Sequence, residues 1–163
     1  MPNFNEHALE LSIMELFKDE GYTYLAGEQI HRERTEVLLA DDLRQYLYNR
    51  YAKDGITPGE VDGILLRLRN ISGTVYEANK AIHKLLCDGF ILNREDRMQK
   101  DLYIELIDYD NPENNIFKAV NQFEIEGVGG QLRIPDGIVF VNGIPVVVLE
   151  FKSAVKENTT IMD

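Results

Sequence analysis

Two apolar runs on either side of an Asn-Gly pair constrain the fold of this chain more than any other feature of its sequence. The pair is Asn142-Gly143, and the second run begins at Ile144 and reads IPVVVLEF. Asn-Gly between apolar runs is the strongest short-range signal for a two-residue β-hairpin. The sequence therefore predicts two antiparallel strands, residues 132–141 and 144–152, joined by a tight turn. Because the second strand is almost wholly apolar, we expect it to be buried inside a sheet.

Charged residues lie at the open end of this predicted hairpin. Asp136 belongs to the first strand, and Glu150 and Lys152 end the second. Residues i and i+2 of a strand point to the same face, so Glu150 and Lys152 share one face and Phe151 turns to the other. The hairpin brings Asp136 back alongside them. Two carboxylates and one ammonium at one edge of a sheet outline a site for a divalent metal and a phosphodiester.

The pattern Pro135-Asp136, followed by Glu150-x-Lys152, is that of the PD-(D/E)xK metal nucleases. An alternative is that Asp136 simply begins a turn and that Glu150 and Lys152 form an exposed edge-strand pair, which contributes little to stability. Against this alternative, a carboxylate and an ammonium at the end of a buried apolar strand are costly unless they serve a function. We therefore predict that these three charged residues form a functional site.

The composition is that of a soluble globular domain, and its charge limits how the chain could bind DNA. The 163 residues, 44% of them apolar, are enough for one domain with a sizeable core. The 17 basic and 28 acidic residues leave a net charge of −11, without any Lys/Arg-rich run. Duplex DNA is bound largely through Lys and Arg contacts to phosphates, so the chain alone should bind DNA weakly. Bound metal would offset the local carboxylates, and other domains or subunits would supply DNA affinity.

Cysteine content and the absence of a targeting signal predict a cytoplasmic protein. The single cysteine, Cys87, cannot form an internal disulfide, which fits a reducing compartment. Its helical, apolar surroundings predict that it is buried. The apolar run from Ile144 is too short to span a membrane, and no signal peptide is recognisable.

The rest of the chain has the pattern of helices followed by strands. Residues 5–20 form a predicted amphipathic helix, and the pattern is helical again over about residues 34–90. Strand periodicity begins near residue 100 and continues over 116–125. We therefore predict an α/β fold with a mixed central sheet flanked by helices and a helical insertion at about 34–90. Local signals support the helix assignments: the apolar face Leu9, Ile13, Leu16 and Phe17, the stop at Gly21, and the capping sequence Thr57-Pro58-Gly59-Glu60.

The three histidines, His7, His31 and His83, have no metal-ligand spacing among themselves. Each is more simply interpreted as a surface or boundary residue. The candidate metal ligands are therefore carboxylates.

The segment from Leu106 through Ser153 resembles the nuclease region of the restriction subunit of type I restriction–modification enzymes, within the PD-(D/E)xK superfamily. The first helix fits as well, because Glu10 precedes Gly21-Tyr22 as in related nucleases and Holliday-junction resolvases. The resemblance covers essentially the whole chain. The residues that carry it are Asn115 with Phe117, Asn121-Gln122-Phe123, Pro135-Asp136, Asn142-Gly143 before Ile144-Pro145, and Glu150-x-Lys152.

The resemblance implies Mg²⁺-dependent hydrolysis of double-stranded DNA. Asp136, Glu150 and the backbone carbonyl of Phe151 would be direct metal ligands. Lys152 would orient or deprotonate the attacking water and stabilise the developing charge. Glu10 would reach in from the first helix as an outer ligand, and the alternative from the same helix is Glu6.

The resemblance also implies a larger assembly. Restriction subunits continue into helicase-like motor domains, and this chain contains neither a Walker-type phosphate loop nor the Gln-x-x-x-Tyr helix that usually follows Glu-x-Lys. Residues 1–163 are therefore interpreted as an endonuclease-like domain at the N-terminus of a longer motor subunit. ATP would be bound by that longer subunit and not by these residues. Methyltransferase and specificity subunits would be the protein partners.

Two other functions are compatible with such a fold. One is a catalytically inactive assembly or binding module, against which the intact Asp136, Glu150 and Lys152 argue. The other is a stand-alone Holliday-junction resolvase, which would need a basic surface that this sequence lacks.

Overall fold

The computed structural model describes residues 6–127 and 129–152, which belong to two compact units. The first unit combines the residues up to Leu38 with those from Phe117 onward, and the second is Leu39–Ile116. Two residues named above, Ser153 and the side chain of Glu6, lie outside the described part. The described helices are α1 (Glu6–Asp19), α2 (Ala40–Tyr51), α3 (Pro58–Arg69) and α4 (Val75–Asp88). The described strands are β1 (Thr23–Ala26), β2 (Phe90–Leu92), β3 (Leu102–Ile104), β4 (Phe117–Asn121), β5 (Ile125–Glu126), β6 (Leu132–Arg133), β7 (Gly137–Val141) and β8 (Ile144–Leu149).

The first unit is a mixed sheet with helix α1 packed against it. The order of the sheet is β1-β4-β7-β8. Strand β1 runs parallel to β4, and the remaining pairs are antiparallel. This arrangement confirms the predicted α/β class with a mixed central sheet. A separate two-stranded ribbon, β5 with β6, belongs to the same unit.

The hairpin predicted from the Asn-Gly pair is confirmed. Strands β7 and β8 pair from Val141 with Ile144 to Gly137 with Leu149. Asn142 and Gly143 have φ angles of 51° and 77°, and two consecutive positive φ values are what a type I′ turn requires. Asn and Gly tolerate this conformation better than other residues, which is why the pair specifies the turn.

The prediction that the second strand of the hairpin is buried in the sheet is wrong. Strand β8 is the last strand of the described sheet and pairs only with β7. Val146, Val147 and Val148 are 41%, 43% and 61% exposed. Apolar composition alone does not separate a central strand from an edge strand, because pairing partners and covering layers are decided elsewhere in the chain.

Three predicted strands also end or break earlier than expected, all near the predicted site. The pairing of β8 stops at Leu149, so residues 150–152 lie beyond the strand. Predicted strand 132–141 is interrupted between β6 and β7, where Pro135 lacks a backbone N–H for the ladder. Predicted strand 116–125 breaks at Gln122, whose φ of 50° is left-handed.

Helix α1 was predicted correctly in position but only partly in its buried face. Met14 and Glu10 are buried, whereas Leu16 is exposed. Residues Glu10 and Met14 are four apart and lie on the same side of the helix. The buried side therefore includes a carboxylate, and the apolar pattern alone did not predict this.

The second unit contains helices α2, α3 and α4 and the antiparallel hairpin of β2 with β3. The capping sequence before α3 forms as predicted: Thr57 Oγ1 accepts from the Glu60 amide, and the Glu60 carboxylate accepts from the Thr57 amide. An equivalent box of Thr74 and Glu77 begins α4. The prediction that Cys87 is buried is wrong, because it lies exposed on α4, a helix without fully buried residues. None of the described helices is long and apolar enough to cross a membrane.

Candidate functional site

The two halves of the charged pattern meet through one hydrogen bond. The backbone amide of Phe151 donates to Oδ2 of Asp136 at 2.7 Å. An ordinary ladder would pair that amide with a backbone carbonyl of the first strand. The carbonyl of Asp136 faces the other neighbouring strand, where it continues the β4–β7 register by accepting from the Gln122 amide at 3.4 Å. The side chain of Asp136 therefore extends the hairpin by one contact and lies against the Glu150–Lys152 segment.

The exposure of residues 150–152 keeps the alternation expected from their spacing, although they lie beyond the strand. Glu150 and Lys152 are exposed, and Phe151 between them is half-buried. Asp136 is half-buried and Pro135 is buried. The charged groups are thus held at the protein surface, where a phosphodiester could reach them.

Glu10 is buried and bonded to neutral donors. The residue is 4% exposed, and its Oε1 accepts hydrogen bonds from Asn121 Nδ2 at 2.7 Å and Gln122 Nε2 at 3.1 Å. Its other oxygen lies 3.5 Å from Nδ1 of the exposed His7. Among the described residues, no lysine or arginine forms an ion pair with Glu10. Its carboxylate is therefore oriented by hydrogen bonds while its negative charge is not cancelled by a fixed cation.

Tyr24 of β1 orients one of the two amides. Its hydroxyl donates to Oδ1 of Asn121 at 3.1 Å, so that the Nδ2 of Asn121 faces Glu10. Burial, and then the nearby charge of Glu10, raise the pKa of Tyr24 above its ordinary value. The hydroxyl consequently remains a donor at neutral pH, and the chain Tyr24–Asn121–Glu10 has one consistent direction of hydrogen bonding.

Gln122 links Glu10 to Asp136. Its side chain donates to Glu10, and its backbone amide donates to the carbonyl of Asp136. The left-handed φ of 50° is uncommon for a residue with a side chain and marks local strain. Gly27 packs against this turn so closely that an added Cβ would lie 2.3 Å from the Gln122 carbonyl oxygen. A glycine at position 27 is therefore needed for the turn to form as it does.

The structure thus brings Glu10, Asp136 and Phe151 into one connected region at the break in the sheet. Tyr24 was not predicted as part of it, and no sequence signal marks it, because its partner lies 97 residues away. Asn121 and Gln122 were named only for the resemblance they carry. His7, interpreted from the sequence as a surface residue, is exposed as expected and yet lies beside Glu10.

The carboxylates and carbonyls of this region offer oxygen donors to a metal ion, and Nδ1 of His7 lies beside Glu10 as a nitrogen donor. Within residues 6–127 and 129–152, no group of three or more His, Cys, Asp or Glu side chains is already gathered closely enough to hold a metal. Mg²⁺ often binds through only one or two protein carboxylates and completes its shell with water and substrate phosphates. The oxygen donors of Asp136, Glu150 and Glu10 are therefore compatible with Mg²⁺.

Comparison with known proteins identifies the class to which this fold and region belong, namely the restriction enzyme subunits. The chain matches the family described as type I restriction enzyme R protein N terminus over residues 3–163. It belongs to that family, as its resemblance predicted.

Characterised and putative relatives agree with this assignment. The chain is 32% identical, over 97% of its length, to the putative type I restriction enzyme MjaIXP endonuclease subunit of Methanocaldococcus jannaschii. It is 29% identical over the same share to the type I restriction enzyme HindI endonuclease subunit of Haemophilus influenzae. In both cases the match covers 16% of the relative's own length. The chain therefore corresponds to the N-terminal region of a type I restriction endonuclease subunit.

Proposed function

We propose that this chain is a Mg²⁺-dependent DNA endonuclease domain in which Asp136, Glu150 and Lys152 form a PD-(D/E)xK site. The observation that carries the proposal is the 2.7 Å hydrogen bond between the Phe151 amide and the Asp136 carboxylate. It joins the Pro-Asp and Glu-x-Lys halves of the pattern, which are separated in sequence by the whole hairpin. The family assignment and the names of the relatives support the same chemistry.

In this proposal Asp136, Glu150 and the carbonyl of Phe151 hold the metal ion. Glu10 contributes a further negative charge from α1, and it is preferred to Glu6 because it is buried against Asn121. Bound Mg²⁺ would lower the pKa of water and offset the charge of the phosphate. Burying the charge of Glu10 without a cation costs free energy, and a cation bound nearby would offset that cost.

The reaction would be hydrolysis of a phosphodiester bond. The oxygen of water attacks phosphorus and loses a proton, while the bond from phosphorus to one sugar oxygen breaks. The leaving sugar oxygen takes up a proton from solvent, so that a phosphate monoester and an alcohol are formed. Lys152 would orient or deprotonate that water and place its ammonium where negative charge develops on the phosphate oxygens. Phe151, between Glu150 and Lys152, is half-buried, and the two charged side chains on either side of it are exposed.

The remaining functions of the enzyme would belong to other parts of the assembly. In the proposal, ATP-driven translocation is carried out by motor domains of the same subunit. Methyltransferase and specificity subunits supply the recognition of DNA sequence. The complex works in the cytoplasm on double-stranded DNA.

The proposal is tested by removing one charge at a time in the complete enzyme. Asp136→Asn keeps an oxygen that can accept from Phe151, and Glu150→Gln keeps the shape of its side chain, so that loss of charge is separated from loss of structure. We expect Asp136→Asn, Glu150→Gln and Lys152→Ala each to lower DNA cleavage by about 10² to 10³ fold while ATP hydrolysis continues. Glu126→Gln, at an exposed carboxylate of the same unit, is the matched control and should cleave normally.

The same experiment separates the nuclease from an inactive assembly module. Titration of the wild type with Mn²⁺ by calorimetry should give binding that Asp136→Asn and Glu150→Gln abolish. If the wild type binds no divalent metal and all three variants restrict DNA at the normal rate, the nuclease assignment is wrong and the assembly module remains.

A further inference from the structure

A cleft of about 600 Å³ opens in the first unit beside Gln122, and its lining residues include two arginines. Gln122 and Asn121, the two residues that hold Glu10, form part of its wall. Ile134, two residues before Asp136, forms another part. Arg32 and Arg34 line the cleft from the segment that follows β1. The cleft therefore borders residues that contact Glu10 or lie close to Asp136 in sequence, and the proposed chemistry gives it no role.

Arg32 is a fixed part of this wall. Its guanidinium lies 3.5 Å over the ring of Phe123 and donates to the backbone carbonyls of Glu33, Glu36 and Glu124. Its Nε is buried without a hydrogen-bond partner among the described residues. All of its hydrogen-bond acceptors are carbonyl oxygens, so Arg32 secures the loop without using a carboxylate to do so.

Arg34 is fixed at its backbone and open at its guanidinium. Its carbonyl accepts from the Glu126 amide at 3.0 Å, which attaches the residue to β5. Its side chain is 58% exposed and pairs with Glu124 through Nε at 2.7 Å. An ion pair this exposed contributes little to stability. The guanidinium can therefore exchange Glu124 for a phosphate, which offers a bidentate and charge-assisted pair of hydrogen bonds.

Basic residues are scarce in this chain, which makes their position informative. With 17 basic against 28 acidic residues, net repulsion of DNA is expected, and the two arginines share the cleft with Glu28 and Glu124. The cleft places Arg32 and Arg34 next to Gln122, whose side chain donates to Glu10 and whose backbone amide donates to Asp136. Local phosphate contacts of this kind position a DNA strand without reading its sequence.

We propose that the cleft binds the sugar-phosphate backbone of the DNA strand next to the scissile bond, with Arg34 as the phosphate contact and Arg32 as its support. The inference rests on the proposed nuclease function, because the neighbouring phosphodiester is the one that reaches Asp136 and Glu150. In the absence of DNA, Glu124 is the ion-pair partner of Arg34, and it competes with the phosphate for the guanidinium. Gly27 keeps the floor of the cleft close to the Gln122 turn, where a side chain would not fit.

Because Glu124 and phosphate compete for Arg34, substitutions at the two residues should have different effects on cleavage. Arg34→Gln in the complete enzyme should slow single-turnover DNA cleavage about tenfold at physiological salt, the loss expected for one charge-assisted hydrogen bond. The defect should grow at low salt, where a phosphate contact contributes more to DNA affinity, and narrow at high salt, and Arg34→Lys should restore part of the rate. Glu124→Gln releases Arg34 and should leave cleavage unchanged or make it faster. Arg97→Gln, at an exposed arginine of the second unit, is the control.

The inference is wrong if the substitutions at Arg34 and Glu124 have the same effect on cleavage. If Arg34→Gln and Glu124→Gln slow cleavage equally, or if neither changes it, the ion pair is only structural and the cleft does not bind DNA. Mn²⁺ binding by Arg34→Gln should equal that of the wild type, which separates this failure from failure of the nuclease assignment. The latter would appear as normal cleavage by Asp136→Asn.

Discussion

Buried carboxylates have different kinds of partners in the two units of this chain. In the second unit, Glu60 and Asp108 are buried and each is paired with an arginine. In the first unit, Glu10 is equally buried and is held by neutral amides of Asn121 and Gln122. Under the proposed function, Glu10 holds its negative charge for an external cation, whereas Glu60 and Asp108 stabilise the fold.

The pairing in the second unit is extensive. Arg94 donates from Nε to Oε1 of Glu60 at 2.7 Å and from its other nitrogens to the carbonyls of Asp54 and Gly55. Burial alone would raise the pKa of Glu60, but the hydrogen bonds from Arg94, Thr57 and Glu95 together hold that pKa below its ordinary value. The ionised form of Glu60 therefore belongs to the folded state.

Asp108 is stabilised in a similar way. A hydrogen bond from Asn114, supported by the Asn111 amide and by Arg50, holds the pKa of Asp108 below its ordinary value. The same Arg50 also bonds to Glu105. Glu60 and Asp108 therefore each have an arginine as counter-charge inside the unit.

The comparison predicts that one chemical change, Glu to Gln, has different consequences at three positions. The largest effect on stability is expected at Glu60, where Gln would leave the Arg94 guanidinium buried without its counter-charge. We expect Glu60→Gln to lower the free energy of unfolding by about 3 kcal/mol, measured by urea denaturation. Glu77→Gln is the matched control, because Glu77 makes the same capping box with Thr74 on an exposed surface. If both variants lose the same stability, capping and not charge pairing explains Glu60.

At Glu10 the expected effect is on metal binding and not on stability. A Gln side chain can still accept from Asn121 and Gln122, and it removes a buried charge that no fixed cation neutralises, so unfolding should occur at the same or a higher urea concentration. The affinity for Mn²⁺ should fall by about 10 to 100 fold, as for other residues that support a metal site. Calorimetric titration measures it. A destabilised variant with normal metal affinity would make Glu10 a structural residue and remove the contrast between the units.

The smallest effect concerns acid stability. Because the folded state lowers the pKa of Glu60, its contribution is present above the pKa of the unfolded chain, near 4.3, and is lost as pH falls through the lower folded value. One such group changes the free energy of unfolding by at most about 1.4 kcal/mol per pH unit. Denaturation between pH 3 and 6 should therefore show a weaker pH dependence in Glu60→Gln than in the wild type. An identical slope in the two proteins would show that Glu60 does not titrate in this range.

Local signals in the sequence predicted the helices and turns well. The helix predicted at 5–20 is Glu6–Asp19, the cap at Thr57 begins α3, and Asn142-Gly143 forms the predicted turn. Each of these depends on residues within a few positions of one another, so the information lies in one short stretch of chain. Because the hairpin is tight, it also brings the Glu150–Lys152 segment back to Asp136, where the Phe151 amide donates to the carboxylate.

Long-range contacts account for the features that were predicted wrongly or not at all. Strand β8 is exposed because of where the described sheet ends, and its apolar sequence could not reveal this. Cys87 is exposed although its neighbours are apolar, since burial depends on what covers a helix and not on the helix alone.

The sequence by itself determined the α/β class, the hairpin and the family. Only the tertiary structure decided that Glu10 is buried and that Tyr24 and Asn121 orient it. It also decided that Arg32 and Arg34 share a cleft with Gln122. The partners of Glu10 are 111 and 112 residues away in sequence, and the paired strands β1 and β4 are separated in sequence by the residues of the second unit. Pairing over such distances depends on the energy of the entire fold, whereas a turn or a helix cap depends on a few neighbouring residues.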